Sequence, residues 1–306
     1  MWCPHGFGWC ADPSHPKSIV RLANLEEAQS KGGNVVGSKT IGKTRTDQDE
    51  ELPEQDKRLY AMGAGLCLYH SSDRPDTQFG AARLMSCINS PKVRDEMALK
   101  AHARYLKAHD ECIWLFRYQQ APEGITIFCD SDWAGDEVER KSTDCVHEYH
   151  GIHLLETSSA NQGVTALASG EAEFYANVRA GAAGLQWKGI HEHCFKGPCS
   201  ITIYTDSTAA MGILRRSGCG KLRHIETKFL WIQQKVRDFV IRIKKVDTSL
   251  NTSDLGTKYH ARARHEELVQ MMPIVIGNGL RAGGLDVLFQ QRPVGGHRGR
   301  EGHGQA

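Results

Sequence analysis

The stretch that decides the fold is I-T-I-F-C-D-S-D at residues 125–132, a run rich in β-branched residues in which the apolar part ends at Asp130. A second run of the same kind, S-I-T-I-Y-T-D at residues 200–206, ends in Asp206. Runs of this length and composition are typical of buried strands. The two strands are predicted to be neighbours, which would place both carboxylates at the same edge of a sheet. The sequence therefore predicts an α/β domain with two acids at one strand end.

A long helix is predicted between these two strands, and it supplies a third acid. Ser169 is the predicted N-cap of this helix. The helix offers two acids, Glu171 and Glu173, which are two residues apart and therefore about 200° apart around the axis. Phe174 and Val178 mark the side that faces the core; Glu171 falls near the middle of that side and Glu173 at its margin. The margin is the better position for a metal ligand, so we favour Glu173 and keep Glu171 as the alternative.

A fourth acid, Asp254, opens the last predicted helix in the segment L-N-T-S-D-L-G-T-K. Hydrolysis of a phosphodiester needs an activated water and a stabilised leaving oxygen, and two Mg²⁺ ions about 3.5–4 Å apart can serve both. Mg²⁺ prefers hard oxygen ligands and keeps several waters, so a few carboxylates are enough to hold it. Without metal, such carboxylates repel one another and titrate as a coupled set. Asp130, Glu173, Asp206 and Asp254 therefore indicate a metal-dependent phosphodiester hydrolase, with Mg²⁺ as the expected ion and Mn²⁺ as its substitute.

The basic residues of the chain are unevenly distributed. The 306 residues include 38 Lys and Arg against 36 Asp and Glu, so the net charge of +2 excludes little by itself. Residues 213–246, however, contain ten Lys or Arg and only two acids. Such a surplus is typical of a surface that binds a polyanion. The alternative interpretation is a solvated helix face with an ordinary basic bias.

The ten cysteines show no disulfide framework, and the sequence has neither an apolar run of eighteen residues nor a signal-peptide hydrophobic region. We therefore expect reduced cysteines, an intracellular location in the cytoplasm or nucleus, and no association with a membrane. Two His/Cys clusters lack the C-x2-C spacing of common zinc modules, so loop residues are the favoured interpretation. These clusters are Cys3, His5, Cys10 and His15, and His191, His193, Cys194 and Cys199.

The pattern along the chain predicts four segments. They are a poorly ordered leader at 1–53, a helical segment at 54–120, an α/β domain at 121–272 and a disordered Gly-rich tail at 273–306. The longer predicted helices are 57–69, a helix from Pro75, 91–109, 169–193, 224–238 and 254–272. The predicted strands are 112–118, 125–129, 145–155, 164–168, 200–205 and 239–246. Three strands, a helix, a strand, helices, a strand and a helix form an RNase H-like order.

Six short motifs carry a family resemblance. They are F-C-D-S-D-W-A-G-D at 128–136, R-K-S-T at 140–143, A-L-A-S-G-E-A-E-F-Y-A at 166–176, T-D-S-T-A-A at 205–210, R-H-I-E-T-K-F-L-W-I at 223–232 and S-D-L-G-T-K at 253–258. In this order they resemble the RNase H region of copia-type retrotransposon Pol polyproteins. Upstream, R-P-D at 74–76 and A-R-Y-L-K at 103–107 resemble the helical connection between reverse transcriptase and RNase H. The resemblance covers roughly residues 52–272.

The resemblance implies an RNase H-like mixed five-stranded sheet flanked by helices and preceded by the small helical connection. It also implies Mg²⁺-dependent cleavage of the RNA strand of RNA/DNA hybrids. The metal-binding acids of the family fall on Asp130, Glu173, Asp206 and Asp254. Candidates for contacts to the nucleic-acid phosphates are Lys221, Arg223, His224 and Lys228.

The chain also departs from the family pattern. It contains no Y-x-D-D and no Asp-Asp pair, so a polymerase palm is not expected; a reverse-transcriptase polymerase domain would be a partner within the full polyprotein. The segment D-C-V-H-E-Y-H at 144–150 is unusually polar for its place in the sheet. The alternative to a nuclease is therefore a catalytically silent retroelement fragment that at most binds nucleic acid.

Overall fold

The computed structural model describes residues 1–27, 31–37, 50–135, 140–280 and 285–291. The strands are β1 Trp2–Cys3, β2 Gly6–Cys10, β3 Glu111–Arg117, β4 Gly124–Asp132, β5 Thr143–His150, β6 His153–Asn161, β7 Ser200–Thr205, β8 Ile241–Lys245 and β9 Ile274–Gly277. The α-helices are α1 Ser14–Leu22, α2 Glu54–Ser71, α3 Gln78–Ser86, α4 Val93–Ala108, α5 Ser169–Phe195, α6 Thr208–Arg215, α7 Trp231–Arg237, α8 Arg262–Gln270 and α9 Leu285–Gln291. Short 3₁₀ helices cover Pro75–Thr77, Thr227–Phe229, Thr248–Leu250 and Thr252–Gly256.

The larger sheet has five strands in the order β6-β5-β4-β7-β8. The pairs β4–β5 and β5–β6 are antiparallel, whereas β4–β7 and β7–β8 are parallel, so the sheet is mixed. Its centre is the pair of isoleucine-rich strands, in which Ile127 pairs with Ile203. Both side chains are fully buried in the core that also contains Phe174 of α5. The predicted strands at 125–129 and 200–205 are therefore neighbours in the sheet.

The antiparallel hairpin beside β4 differs from the prediction. Strands were expected at 145–155 and 164–168, but the hairpin is formed by β5 and β6, and no strand is assigned at 164–168. Gly151 at the turn has φ +63°, a conformation that glycine adopts without strain and that allows a tight hairpin connection. The polar residues of β5 are buried because helix α5 and the 3₁₀ segment Thr252–Gly256 both pack on this strand. His147, for example, lies 3.1 Å from the Thr252 hydroxyl through its Nδ1 atom.

The helical segment is joined to α8 through a buried ion pair. Arg74 donates to both carboxylate oxygens of Asp76, at 2.9 and 2.7 Å. The Tyr105 hydroxyl donates to the same carboxylate at 2.7 Å, and His265 Nε2 of α8 lies 3.2 Å from the Asp76 carbonyl oxygen. Because Arg74 and Asp76 are both buried, their charges depend on this pairing. The R-P-D motif therefore connects the helical segment 54–120 to helix α8.

The first residues of the chain are not the poorly ordered leader that the composition indicates. Strand β2 pairs with β3 over its full length, from Gly6 opposite Arg117 to Cys10 opposite Ile113. Helix α1 buries Ile19 in the same core as α2 and α4. The composition is misleading because backbone pairing with a distant strand leaves little trace in the local sequence. Residues 28–30 and 38–49 of the predicted leader lie outside the described residues.

The predicted disordered tail also begins with ordered structure. Strand β9 pairs with the other edge of β3, which gives a second sheet in the order β1-β2-β3-β9. Helix α9 buries Leu288 and Phe289 against Ile113 and Leu115 of β3. The high glycine content of the tail as a whole obscured the short apolar runs I-V-I and L-D-V-L-F. Residues 281–284 and 292–306 lie outside the described residues.

Two predicted helices are shorter than expected. The helix predicted at 254–272 is a 3₁₀ turn at Thr252–Gly256 followed by α8, and the one predicted at 224–238 is a 3₁₀ turn followed by α7. Asp254 therefore lies inside a 3₁₀ turn rather than at the start of an α-helix. Among the described residues, no helix is both long enough and apolar enough to cross a membrane.

Candidate metal centre and nucleic-acid interface

Three of the four predicted acids come together at one end of the central strands. Asp130, Glu173 and Asp206 each offer a carboxylate oxygen, and these oxygens lie within 4.8 Å of one another. The strand register explains part of this, because Phe128 pairs with Tyr204 and the two aspartates stand two residues further along. Helix α5 crosses this end of the sheet and adds Glu173. These three residues are called the acidic cluster below.

Burial and mutual repulsion raise the pKa values of two members of the acidic cluster, Asp130 and Glu173. The pKa of Asp130 rises to about 7, first because of burial and then because of the charges of Asp254 and Asp206. Burial, followed by the charges of Asp130 and Asp206, likewise raises the pKa of Glu173 well above its ordinary value. The Ser131 N–H donates to Glu173 Oε1 at 3.3 Å and partly opposes this shift. A cation placed among these oxygens would relieve the repulsion.

The donor set of the acidic cluster fits a hard divalent cation. Glu173 Oε2 is buried and has no hydrogen-bond partner within the described part of the chain. A buried carboxylate oxygen of this kind is unfavourable unless a donor or a cation satisfies it. Within the described residues, this is also the only group of three or more His, Cys, Asp or Glu residues close enough to share an ion. Three carboxylates suit Mg²⁺ or Mn²⁺.

Asp254 lies beside the acidic cluster rather than within it. Its Oδ1 atom is 2.7 Å from Lys258 Nζ, and its Oδ2 atom is 3.4 Å from Arg264 Nη2. The next residue after the 3₁₀ turn, Thr257, donates its hydroxyl to Asp130 Oδ2 at 2.9 Å. Asp254 is near enough for its charge to raise the pKa of Asp130. Its role as a metal ligand stays a prediction.

Glu171, the alternative to Glu173, points to other partners. Its Oε2 atom accepts the Leu167 N–H at 3.0 Å and lies 2.8 Å from His224 Nε2. Its Oε1 atom accepts the Tyr175 hydroxyl at 3.0 Å. The helix therefore separates the two acids as the 200° rotation predicts. Glu173 reaches the acidic cluster, and Glu171 faces the chain around His224.

The four predicted phosphate contacts are all on the surface. Lys221, Arg223, His224 and Lys228 are exposed and follow one another in the connection between α6 and α7. Lys228 pairs with Glu226 at 2.8 Å, and both side chains are mostly exposed. An exposed pair of this kind is weak, so it leaves Lys228 able to exchange its partner for a phosphate. We call residues 221–228 the basic segment.

One buried acid near the cluster escaped the sequence reasoning. Asp144 of β5 stands opposite Ser131 in the β4–β5 register. Burial raises its pKa to about 7, although the hydrogen bond from Gln162 acts in the opposite direction. Gln162 Nε2 also donates to the Ala172 carbonyl oxygen at 2.8 Å. The polar run 144–150 was the available signal, but only the sheet register shows that Asp144 adjoins the strand end that carries Asp130.

Comparisons with known proteins agree with the motifs. The chain is 24% identical to the retrovirus-related Pol polyprotein from transposon TNT 1-94 of Nicotiana tabacum, over 86% of this chain and 20% of that protein. It is 25% and 26% identical to those from transposons RE1 and RE2 of Arabidopsis thaliana, in each case over 72% of this chain and 15% of the relative. The chain thus spans one fifth or less of these relatives' length. No protein-family profile matches it.

Among solved structures, the chain is similar to LC11-RNase H1 isolated from compost by a metagenomic approach. The identity is 17%, the TM-score is 0.30, and the match covers 48% of this chain and 92% of that one. The mixed five-stranded sheet flanked by helices confirms the predicted fold class. The chain is therefore similar in sequence to the retrovirus-related Pol polyproteins of plant transposons, and its motifs resemble the RNase H region of such polyproteins.

Proposed function

We propose that the chain is a metal-dependent ribonuclease H that hydrolyses the RNA strand of RNA/DNA hybrids and that acts as one region of a Pol polyprotein. The observation that carries the proposal is the acidic cluster. Carboxylates from β4, from α5 and from the residue that follows β7 meet within 4.8 Å, and among the described residues one buried oxygen of Glu173 has no hydrogen-bond partner. Such a concentration of repelling buried charge is unfavourable for folding, and a bound divalent cation would relieve it.

The residues of the site would have two roles, binding the metal ion and orienting its carboxylate ligands. Asp130, Glu173 and Asp206 would hold Mg²⁺ or Mn²⁺, with Asp254 as a further ligand. The bound metal would supply an activated water and neutralise charge on the leaving oxygen. Thr257 orients the Asp130 carboxylate through its hydroxyl, and the Ser131 N–H orients Glu173. Cation binding would displace the protons that the raised pKa values retain, so affinity for the metal should increase with pH.

The exposed basic segment supports a nucleic-acid substrate. Lys221, Arg223, His224 and Lys228 would contact backbone phosphates, while a duplex with one RNA strand would bring the scissile bond to the acidic cluster. The polymerase that produces such hybrids would belong to another part of the polyprotein. An intracellular location, in the cytoplasm or nucleus, remains part of this proposal.

A cleavage assay tests the proposal. The wild-type protein with Mg²⁺ or Mn²⁺ should nick a labelled RNA strand annealed to DNA and should leave the matched DNA duplex intact. Asp206→Asn should lower the rate by at least about a hundredfold, because the substitution removes a charged ligand from the cluster. Wild-type and Asp206→Asn proteins that are equally inert, yet folded by circular dichroism, would favour the silent retroelement fragment instead.

A further inference from the structure

Glu171 is the acid of the E-A-E stretch that the proposed metal site does not use, and its contacts are unusually complete. The side chain is 1% exposed. Both oxygens accept hydrogen bonds, from the Tyr175 hydroxyl and from the Leu167 N–H, and one of them also meets His224 Nε2. A buried carboxylate with partners on both oxygens has a fixed orientation. The imidazole of His224 is therefore held in place as well.

His224 belongs to the basic segment, and two contacts hold this part of the chain against helix α5, one within the segment and one at the residue that follows it. Glu171 holds His224, and Tyr175, one helical turn further along, packs its ring against Phe229 with the ring centroids 4.9 Å apart. Between these points Ile225 is buried in the core. Leu222 is partly buried against the same core, and the other residues of the segment are exposed, so its charged side chains face solvent.

The same end of α5 adjoins the acidic cluster. Glu173 of the cluster is two residues after Glu171, which is a rise of about 3 Å along the helix axis. A Cβ atom at Gly170 would lie only 2.7 Å from the Ala209 Cβ atom, so the start of α5 touches the start of α6. Asp206 of the cluster precedes Ala209 by three residues. The start of α5 therefore contributes Glu173 to the candidate metal site and Glu171 to the contact that holds the basic segment.

We propose that Glu171 is a positioning residue, which holds the His224 imidazole so that it contacts a backbone phosphate of the hybrid duplex beside the acidic cluster. This inference rests on the proposed function through its substrate. Glu171 itself touches neither the metal nor the nucleic acid and acts through His224. The ligand class is a phosphodiester backbone. In the imidazolium form of His224, Nε2–H donates to Glu171 and Nδ1–H is left to donate to a phosphate oxygen.

The direction in which a substitution of Glu171 changes the affinity for a hybrid distinguishes this role from simple electrostatics. Replacing any Glu by Gln removes a negative charge, which by itself should tighten binding to a polyanion. If Glu171 positions His224, Glu171→Gln should instead weaken binding of a hybrid, by about threefold to tenfold for one charge-assisted contact. His224→Ala should weaken binding to a similar extent. The double variant should bind no more weakly than His224→Ala alone, because Glu171 acts only through that residue.

The measurement is the fluorescence anisotropy of a fluorescein-labelled RNA/DNA hybrid, with all variants in the Asp206→Asn background so that no cleavage occurs. Glu192→Gln is the matched control: it makes the same charge change in the same helix, at the end remote from the cluster, where Glu192 pairs with Lys188. This control should bind unchanged or more tightly. With Asp206 intact, the KM of Glu171→Gln should rise by a larger factor than its kcat falls.

Several outcomes would overturn the inference. They are hybrid binding by Glu171→Gln that is as tight as the parent's, additive effects of Glu171→Gln and His224→Ala, or no hybrid binding by the parent. If Glu171→Gln fails to fold, Tyr175→Phe replaces it in the test, because this substitution removes only the hydroxyl that donates to Glu171. Tyr175→Phe should likewise weaken binding of the hybrid. Retained hybrid binding without cleavage in the protein with Asp206 intact would overturn the proposed function alone.

Discussion

Two carboxylates of the acidic cluster, those of Asp130 and Glu173, destabilise the folded state to an extent that depends on pH. Asp130 and Glu173 have folded-state pKa values above their unfolded values of 3.8 and 4.5. The folded state therefore retains more protons than the unfolded state once the pH exceeds about 4. As the pH rises towards 7 for Asp130, and higher for Glu173, these two groups make the folded state progressively less stable. This is the opposite of the usual behaviour of a salt-bridged carboxylate.

We therefore expect Glu173→Gln to raise the Tm of the metal-free protein, with a larger gain at pH 8 than at pH 5. The reason is that glutamine does not ionise, so the variant avoids the cost of keeping Glu173 protonated in the folded state, and this cost grows as the pH rises above 4.5. Melting curves in EDTA at both pH values measure the effect, and the difference between variant and wild type cancels the contribution of the histidines. Mg²⁺ should raise the Tm of wild type but not of the variant. A gain that is equal at the two pH values would contradict this account.

Lys258 bears on the same site, because its ammonium group pairs with Asp254. Among the described residues, the ion pairs near the site involve Asp254 and none involves Asp130, Glu173 or Asp206. Removing the ammonium by Lys258→Met should tighten Mn²⁺ binding by roughly tenfold, because a like charge leaves the neighbourhood of the ion. Isothermal titration calorimetry checks this. The control is Lys100→Met, which breaks a pair of the same 2.7 Å length and spacing on α4 and should leave the affinity unchanged.

At the scale of elements, the contact between α5 and the parallel strands places Glu173. A Cβ atom at Gly184 would lie 2.8 Å from Ile201 Cγ2 and 2.9 Å from Ile127 Cδ1. Gly184→Val should therefore lower the free energy of unfolding by about 1–3 kcal/mol, because the helix must move away from the sheet. In the same helix, nothing lies within 4 Å of a Cβ atom at Gly189. Gly189→Ala should stabilise the protein by about 0.5–1 kcal/mol, since glycine is a poor helix former.

Urea denaturation of both glycine variants measures these changes. The Mn²⁺ affinity of Gly184→Val should fall as well, because displacement of α5 moves Glu173 away from Asp130 and Asp206. Gly189→Ala should bind Mn²⁺ like wild type. Equal effects of the two substitutions on stability would show that the close approach of α5 is not what fixes the helix.

At the scale of the whole molecule, the predicted domain boundaries at 120/121 and 272/273 cut through shared cores. One cluster of buried side chains joins Trp114 and Ile274, outside those boundaries, to Phe128, Tyr149 and Leu268 inside them. A fragment of residues 121–272 would expose this apolar surface to water. We expect it to aggregate or to melt well below the chain 1–291, as measured by size-exclusion chromatography and circular dichroism. If the fragment were monomeric and had the Tm of the longer chain, the predicted domain boundaries would be correct and this expectation would be wrong.

Local signals in the sequence were sufficient for several features. The β-branched runs predicted β4 and β7, and the helical rotation separated Glu173 from Glu171. Helix α5 was predicted with Ser169 as its N-cap, but Ala168 is the N-cap and Ser169 is the first helical residue, with no hydrogen bond from a capping side chain. Local signals were insufficient where an element depends on a distant partner. Strands β2 and β9 form because each pairs with one edge of the distant strand β3. The polar strand β5 is buried because helix α5 and the 3₁₀ turn that contains Asp254 both pack on it. Asp254 itself was placed at a helix start, whereas it lies in a 3₁₀ turn.

The sequence by itself indicated which acids could form a metal site, because residue type and position at strand ends and helix starts group Asp130, Glu173, Asp206 and Asp254. Only the tertiary structure decided how these groups are arranged. In the tertiary structure, Asp254 pairs with Lys258 and lies apart from the three clustered acids. Glu171 contacts His224 instead of joining the cluster. The physical reason is that ion pairs and hydrogen bonds between residues far apart in the chain depend on how the elements pack. Periodicity and composition report only what each element is.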